Sequence, residues 1–133
     1  MARILVVDDD ASIRSLLRGM LERQGYEVVE AEDGCEGLQC YWTALPDLVI
    51  TDLQMPGMDG LELIMEVRRA CPTAKIIAIS GGQRALNLAR PLTQCAFEKP
   101  FQLGSFMVAV RELLAAVASP GLDHAMMAAS LHA

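Results

Sequence analysis

Short apolar runs alternate with amphipathic segments along the chain. Runs rich in Val, Ile and Leu are typical of strands, and the predicted strands are residues 4–7, 26–31, 48–51, 75–79 and 95–98. The first run, ILVV, is apolar without interruption, which indicates a strand that is buried on both faces. Strands that alternate with helical patterns are typical of βα units in a parallel sheet, so the pattern predicts an α/β fold.

The segments between the strands place apolar residues at helical spacing. The first stripe ends before Gly25, a natural left-handed cap, and consists of Ile13, Leu16, Leu17, Met20 and Leu21. A second helix is predicted over residues 34–44, and a third opens at the capping box of Asp59 and Glu62 and runs to about Ala70. The last predicted helix covers residues 103–118. Five strands and about five helices therefore account for the chain up to residue 118.

The stretch from Gly81 to Gln94 gives the least regular pattern. Residues 85–92 resemble a fourth helix, but a proline inside a helix costs about 3 kcal/mol. Because Pro91 lies in this segment, we expect the helix to end near Arg90 or to restart at Pro91. The element is expected to be short and mobile.

The chain departs from this alternation at Ser119. Pro120 and Gly121 break the preceding helix, which predicts one domain over residues 1–118 and a C-terminal tail or linker stub over residues 119–133. Leu122, Met126 and Met127 leave a helix that packs on a partner as the second interpretation.

Polar residues follow four of the predicted strands at the point where each run ends. They are Asp8, Asp9, Asp52, Ser80 and Lys99. Ligands of open parallel sheets bind outside the carboxyl ends of the strands, so these side chains are expected to converge. The alternative for single residues is that the carboxylates of 8–10 only cap a helix and that Lys99 is a solvated surface charge.

Three clustered carboxylates require a cation. Two of them about 5 Å apart repel by roughly 3 kcal/mol at an effective dielectric constant of 20. A hard divalent ion with oxygen ligands balances such a site, and Mg²⁺ is the usual choice where a phosphoryl group is also held. A carboxylate can itself attack phosphorus, and Ser80 and Lys99 could each hold one phosphoryl oxygen.

Composition narrows the function classes. The chain has 133 residues and a net charge of −6, and no more than two basic residues are adjacent, which argues against nucleic-acid binding. No apolar run approaches the ~18 residues of a membrane span, and the start MARILVVDDD is too acidic for a signal peptide, so we predict a cytoplasmic protein.

Cysteine and histidine usage gives little sign of further chemistry. The four cysteines form no CxxC pair and are predicted to be buried free thiols, with a zinc or redox site as the alternative, and they are Cys35, Cys40, Cys71 and Cys95. The only histidines are His124 and His132, so residues 1–123 contain no imidazole base for a Ser/His/Asp or Cys/His nucleophile.

Four segments together resemble the receiver domain of two-component response regulators. They are ILVVDDD, DLVITDLQMPGMDG, IIAISG and EKPF, and the resemblance extends over about residues 2–118. It implies a flavodoxin-like (βα)5 fold, a doubly wound parallel five-stranded sheet with strand order 2-1-3-4-5. It also implies phosphorylation by a sensor histidine kinase or a histidine phosphotransfer protein, which would supply the phosphohistidine that this chain lacks.

The resemblance assigns roles to individual residues. Asp52 is similar to the phosphoacceptor, and Asp8 and Asp9 look like the acidic pair that holds Mg²⁺, Asp9 directly and Asp8 through water. Gln54 matches the position whose backbone carbonyl completes the metal shell. Ser80 corresponds to the switch Ser/Thr of the family.

Lys99 corresponds to the family's lysine, and the peptide bond to Pro100 is expected to be cis. Asp10 has no such role, and it is predicted to cap the following helix.

Two features differ from the family pattern. Many receivers have an aromatic residue three positions before the lysine, where this chain has Ala96, and Phe97 should point to the opposite side of its strand. Only 18 residues separate Ser80 from Lys99, a few fewer than is usual in the family. The surface of the fourth helix, fifth strand and fifth helix, which receivers use to dimerise or to contact effectors, is therefore expected to be built differently.

Three functions can be considered for a chain with these residues. A phosphorylation-dependent receiver would catalyse only its own phosphoryl transfer and autodephosphorylation, and would signal to an unknown protein target by contact, as a possible homodimer. An aspartyl-phosphate enzyme of the haloacid dehalogenase type would need a second Asp where Gln54 lies. A degenerate receiver would be a constitutive interaction module, and Mg²⁺-dependent phosphate turnover would distinguish it from the first.

Overall fold

A computed structural model describes residues 1–115, and residues 116–133 lie outside the described part. The strands are β1 (Arg3–Val7), β2 (Glu27–Ala31), β3 (Leu48–Asp52), β4 (Ile76–Ser80) and β5 (Cys95–Glu98). The helices are α1 (Ala11–Arg23), α2 (Gly34–Ala44), α3 (Gly60–Ala70), α4 (Gln83–Ala89) and α5 (Leu103–Ala115), and a 3-10 turn covers Arg90–Leu92.

The five strands form one parallel sheet in the order β2-β1-β3-β4-β5. Each face of the sheet has its own apolar core. Tyr41 of α2, Leu63 of α3 and Leu86 of α4 pack on one face. Leu17 of α1 and Phe106 of α5 pack on the other. The predicted doubly wound flavodoxin-like fold with strand order 2-1-3-4-5 is therefore confirmed.

The central strands β1, β3 and β4 are buried almost throughout, which confirms the prediction made for the first run, ILVV. Strand β5 lies at the edge of the sheet and is only half-buried. On this strand Ala96 packs toward the face with α4, and Phe97 packs toward the face with α5. The prediction that Phe97 points away from the side of Ala96 is confirmed.

Helix caps lie where the sequence predicts them. Asp10 accepts hydrogen bonds from the backbone N–H groups of Ser12 and Ile13 at the start of α1. Asp59 accepts one from the N–H of Glu62 at the start of α3. Side-chain caps of this kind are worth about 1 kcal/mol each, and both lie next to loops that carry predicted site residues.

The fourth helix begins two residues before its predicted start at Ala85, and it ends at Ala89. Pro91 lies at the beginning of the 3-10 turn, where its missing N–H leaves no hydrogen bond unmade. The predicted end of the last helix at residue 118 and the predicted tail over residues 119–133 lie outside the described residues.

The four cysteines are free thiols, as predicted, but the prediction that they are buried is wrong. Cys35 is exposed, and the thiols of Cys40, Cys71 and Cys95 are only half-buried. Cys95 shows the reason, because it lies on the edge strand β5, where no further strand covers it.

Candidate functional site

Three carboxylates meet at the carboxyl edge of the sheet. Oxygen atoms of Asp8, Asp9 and Asp52 lie within 4.8 Å of one another. Strands β1 and β3 are neighbours, so residues 44 positions apart in the chain end on the same edge, as the sequence predicts. Asp8 and Asp52 are buried, with 2% and 6% exposure, and Asp9 is exposed. Hard divalent cations prefer oxygen ligands of this kind, so the donor set fits Mg²⁺.

Lys99 contacts two of the three carboxylates. Its Nζ lies 3.1 Å from an oxygen of Asp52 and 3.5 Å from an oxygen of Asp8. The backbone N–H of Lys99 donates to the carbonyl of Ser80, which continues the pairing of β5 with β4, and the peptide bond to Pro100 is cis, as expected. Lys99 is therefore part of the site and is not a solvated surface charge.

The charges of the site act on one another. Burial raises the pKa of the Asp8 carboxyl, the N–H of Asp10 opposes that rise, and the charge of Asp52 adds to it. Burial lowers the pKa of the Lys99 ammonium, but its hydrogen bonds and charge interactions with Asp52 and Asp8 outweigh burial and raise this pKa. The site thus combines one ammonium with three carboxylates, and this excess of negative charge favours a bound cation.

Backbone groups hold the carboxylates in place. The N–H of Asp10 donates to Asp8 Oδ1 at 2.9 Å, and the N–H of Gln54 donates to Asp52 Oδ1 at 3.1 Å. Arg14 of α1 donates from Nη1 to the carbonyl of Asp8 at 2.6 Å. These contacts leave little freedom for either acid, which suits a site that must bind an ion and a reactant in fixed geometry.

Ser80 is fully buried at the end of β4, and its hydroxyl has neutral partners. It accepts from the N–H of Gly82 at 3.0 Å and donates to Gln54 Oε1 at 3.3 Å. The sequence assigns Gln54 only a backbone role, so its side-chain contact is new. A polar side chain two residues after the end of β3 is the signal that could have indicated this contact.

Gly60 fits the backbone of β3 closely. A Cβ on Gly60 would come within 1.9 Å of the carbonyl oxygen of Asp52. The N–H of Gly60 donates to the carbonyl of Leu53, so helix α3 begins directly against the strand that carries Asp52. Sequence reasoning missed this residue, although the pair Asp59–Gly60 at a loop end is a recognised signal for a tight turn.

Comparisons with known proteins agree with this geometry. Residues 4–111 match the family model described as response regulator receiver domain. The chemotaxis protein CheY of Bacillus subtilis is 35% identical over 116 residues, which cover 84% of this chain and 97% of that protein. The transcriptional regulatory protein ResD of Bacillus subtilis is 39% identical over 114 residues, which cover 84% of this chain and 48% of that protein. The chain thus spans nearly all of one relative and about half the length of the other.

Solved structures of receivers superpose well. The response regulator TrrA of Thermotoga maritima, in complex with Mg²⁺ and BeF, has a TM-score of 0.80 at 38% identity, covering 86% of this chain and 100% of that one. A receiver domain protein of Methanospirillum hungatei has a TM-score of 0.82 at 27% identity, covering 91% of this chain and 99% of that one. The haloacid dehalogenase alternative is thereby removed. A parallel sheet of this strand order, with an acidic cluster at its carboxyl edge and a family match across residues 4–111, shows that the chain belongs to the response regulator receiver domain family.

Proposed function

We propose that Asp52 accepts a phosphoryl group from a phosphohistidine of a sensor histidine kinase or a histidine phosphotransfer protein. The observation that carries this assignment is the position of Asp52 at the end of β3, where its carboxylate contacts Lys99 and lies among the carboxylates of Asp8 and Asp9. A receiver is a signalling module, and the only reactions proposed for this chain are its own phosphoryl transfer and autodephosphorylation.

Mg²⁺ would be held by four groups. They are the carboxylates of Asp8, Asp9 and Asp52 and the backbone carbonyl of Gln54, with Asp9 binding directly and Asp8 through water. The ion would offset the negative charge of the site and of the incoming phosphoryl oxygens. The buried and hydrogen-bonded positions of Asp8 and Asp52 support this assignment, because backbone N–H groups orient both acids.

In the transfer step, a carboxylate oxygen of Asp52 attacks phosphorus and forms a P–O bond. The bond from phosphorus to the donor imidazole breaks, and its electron pair stays on the imidazole nitrogen. Lys99 and Ser80 each stabilise one oxygen of the transferred group, since such reactions depend mainly on positioning and on charge stabilisation. Water later cleaves the P–O bond of the acyl phosphate, which releases phosphate and restores the Asp52 carboxylate.

The setting of this reaction follows from the same proposal. We propose that residues 1–118 form the receiver, that residues 119–133 form a tail or linker stub, and that the protein acts in the cytoplasm. Within residues 1–115, no helix is long and apolar enough to cross a membrane. The output would pass by contact to a downstream protein, without direct nucleic-acid binding by this chain, and a homodimer is one form in which it could occur.

The test is labelling with acetyl phosphate and Mg²⁺, followed by intact-mass measurement. We expect one added phosphoryl group on the unaltered chain and none on Asp52→Asn. Asp59→Asn is the matched control, because Asp59 follows the same strand but caps α3, and asparagine caps a helix equally well. Labelling of Asp52→Asn at the normal level would contradict the assignment.

The same experiment distinguishes the degenerate receiver. A constitutive interaction module would show no phosphate turnover with or without Mg²⁺. A working receiver would lose its labelling when the ion is removed with EDTA and recover it when Mg²⁺ is restored. The complete set of Asp8, Asp9, Asp52, Ser80 and Lys99 in one place supports the second outcome.

A further inference from the structure

The Ser80 hydroxyl already has a hydrogen-bond acceptor. It donates to Gln54 Oε1, a side-chain atom on the loop that leaves β3. Its own lone pair receives the N–H of Gly82, at the N-terminus of α4. Ala96, on the strand beside β4, contributes only a methyl group to this region. Gln54 is thus the polar side chain that engages the Ser80 hydroxyl.

A hydroxyl group carries a single proton, so it donates to one acceptor at a time. If Ser80 holds an oxygen of the phosphoryl group on Asp52, it must release Gln54 Oε1. Gln54 and the phosphoryl oxygen therefore compete for the same proton. A competing acceptor stabilises the unphosphorylated arrangement, and the two-state balance shifts by the free energy of the lost bond.

We propose that the Gln54 side-chain amide is a latch that holds Ser80 in the unphosphorylated arrangement and is released when Ser80 turns to the phosphoryl group. The latch rests on the proposed role of Asp52 as phosphoacceptor. Gln54 acts through Ser80, so it is a positioning residue, and its backbone carbonyl keeps its separate place in the metal shell.

Gly82 makes room for the latch. A Cβ on Gly82 would lie 3.0 Å from Gln54 Nε2, which is closer than an ordinary contact, whereas a Cβ on Gly81 would meet nothing within 4 Å. Of the two adjacent glycines, Gly82 lies against the Gln54 amide and Gly81 does not. An alanine at Gly82 would press the flexible amide away from its position without touching the acidic cluster.

The released amide has a place to go. Gln54 lines an open groove of about 420 Å³ between the loop after β3 and helix α4, together with Leu53, Met55, Pro56, Ala85 and Leu88. Release of the latch would therefore alter one wall of this groove. A phosphorylation signal would reach the α4 side of the molecule through Gln54, without an aromatic side chain at position 96.

The test measures the affinity of the full chain for beryllofluoride, a stable mimic of the phosphoryl group, by calorimetry at saturating Mg²⁺. Gln54→Leu keeps the size of the side chain and removes the competing acceptor, and Gln54 is exposed, so the fold should be retained. We expect roughly threefold tighter binding, since a partly buried neutral hydrogen bond to an exposed side chain lies at the low end of the usual range. Gly82→Ala should shift affinity in the same direction by less, and the matched control Gly81→Ala should not change it.

Two further measurements separate a latch from a general structural effect. The affinity for Mg²⁺ alone should be equal in the unaltered chain and in Gly82→Ala, because a Cβ on Gly82 meets only the Gln54 side chain and no carboxylate of the acidic cluster. In a Ser80→Ala background, Gln54→Leu should have no effect on beryllofluoride affinity, because the shared proton is gone.

Every other outcome contradicts either the latch alone or the proposed function together with the latch. Unchanged or weaker beryllofluoride binding by Gln54→Leu, or an effect of equal size in the Ser80→Ala background, would overturn the latch and leave the role of Asp52 intact. Failure of the unaltered chain to bind beryllofluoride with Mg²⁺ would overturn the proposed function and the latch with it.

Discussion

The carboxyl edge of the sheet has two halves that are held together in different ways. In the acidic half, at the ends of β1 and β3, the buried carboxylates of Asp8 and Asp52 accept charged hydrogen bonds from Lys99 and backbone bonds from their own loops. In the switch half, at the end of β4 and the start of α4, Ser80 has two neutral hydrogen bonds. Charge-assisted bonds are about twice as strong as neutral ones, so the first half is built to stay in place and the second can be displaced.

The secondary structure follows the same division. Helix α3, behind the acidic half, has eleven residues and a side-chain cap, whereas α4 has seven residues and its N-cap residue, Gly82, provides no side-chain hydrogen bond. Under the proposed function, capture of the phosphoryl group would depend on the half with charged hydrogen bonds, and its detection on the half with neutral ones.

The largest expected effect comes from breaking the rigid half. Gly60→Ala would place a methyl group 1.9 Å from the Asp52 carbonyl oxygen, and backbone on both sides cannot yield. We expect the free energy of unfolding to fall by about 3 kcal/mol or more, as for other severe steric conflicts. Urea denaturation measures it.

Gly104→Ala is the control for that substitution, because Gly104 lies in α5 and a Cβ there meets nothing within 4 Å. It should stabilise the chain by about 0.5 kcal/mol. Equal stability of Gly60→Ala and the unaltered chain would show that the loop after β3 is not as closely packed as described.

The next largest effect is expected at Arg68, which attaches the segment after α4 to helix α3. Arg68 of α3 donates to the carbonyl of Leu92 from two nitrogens and to the carbonyls of Pro72 and Ala74, and so ties the 3-10 turn to α3. Arg68→Ala should destabilise the protein by about 2 kcal/mol, since partly buried carbonyls lose charged donors. Hydrogen exchange should accelerate most in α4 and the 3-10 turn.

Arg68→Lys is a second test, because one ammonium group cannot replace the several N–H donors of the planar guanidinium. Arg69→Ala is the control, since Arg69 is largely exposed and, among residues 1–115, pairs only with Glu66 in the same helix. Exchange that accelerated uniformly in all three variants would contradict a local clamp.

A smaller effect, of opposite sign, is expected at Asp8. Burial raises the pKa of this carboxyl, so the folded state keeps its proton to a higher pH than the unfolded state does. The contribution of Asp8 to the free energy of unfolding therefore falls as the pH rises above the ordinary carboxyl pKa and through the raised one. Asp8→Asn should stabilise the metal-free protein by about 1 kcal/mol at pH 7 and by much less near pH 3.

Denaturation over a series of pH values measures the difference in free energy of unfolding between Asp8→Asn and the unaltered chain. Added Mg²⁺ should stabilise the unaltered chain but not Asp8→Asn. Asp59→Asn should change neither quantity, because its cap is kept. A pH-independent effect of Asp8→Asn would show that desolvation of its charge is not the cause.

The smallest effect is expected on the rim of the groove beside α4. Leu88 is 57% exposed, so Leu88→Gln should change the free energy of unfolding by less than about 0.5 kcal/mol. Leu86, two positions earlier in α4, is fully buried, so Leu86→Gln should lower the free energy of unfolding strongly. If Leu88→Gln were as destabilising as Leu86→Gln, the groove described beside Gln54 would be a closed core.

Much of the fold follows from local patterns. Apolar runs predict the strands β1, β3 and β4, the unbroken run ILVV predicts the burial of β1, and the polar residue at the end of each run predicts which edge carries the site. The caps at Asp10 and Asp59 are readable because their hydrogen bonds join residues two or three positions apart. The helix after Ser80 is less readable, since Pro91 stops the α-helix but does not specify the 3-10 turn that replaces it.

The contacts that no local pattern predicts are the ones between distant segments. The thiol of Cys95 is half-exposed because its strand is the last of the sheet, and the strand order is a property of the whole fold. The bonds of Arg68 to Leu92 span 24 positions, and that of Ser80 to Gln54 spans 26. Side-chain partners at such separations depend on how the loops pack.

The parallel α/β architecture and the groups at its carboxyl edge can be predicted from consecutive residues, because strand patterns and strand ends are local. The contacts of those groups depend on the folded chain: Lys99 with Asp52 and Asp8, and Ser80 with Gln54. The physical reason is that a hydrogen bond requires two atoms to lie within about 3 Å of each other. For residues far apart in the chain, that distance is set by the packing of helices and loops on the sheet.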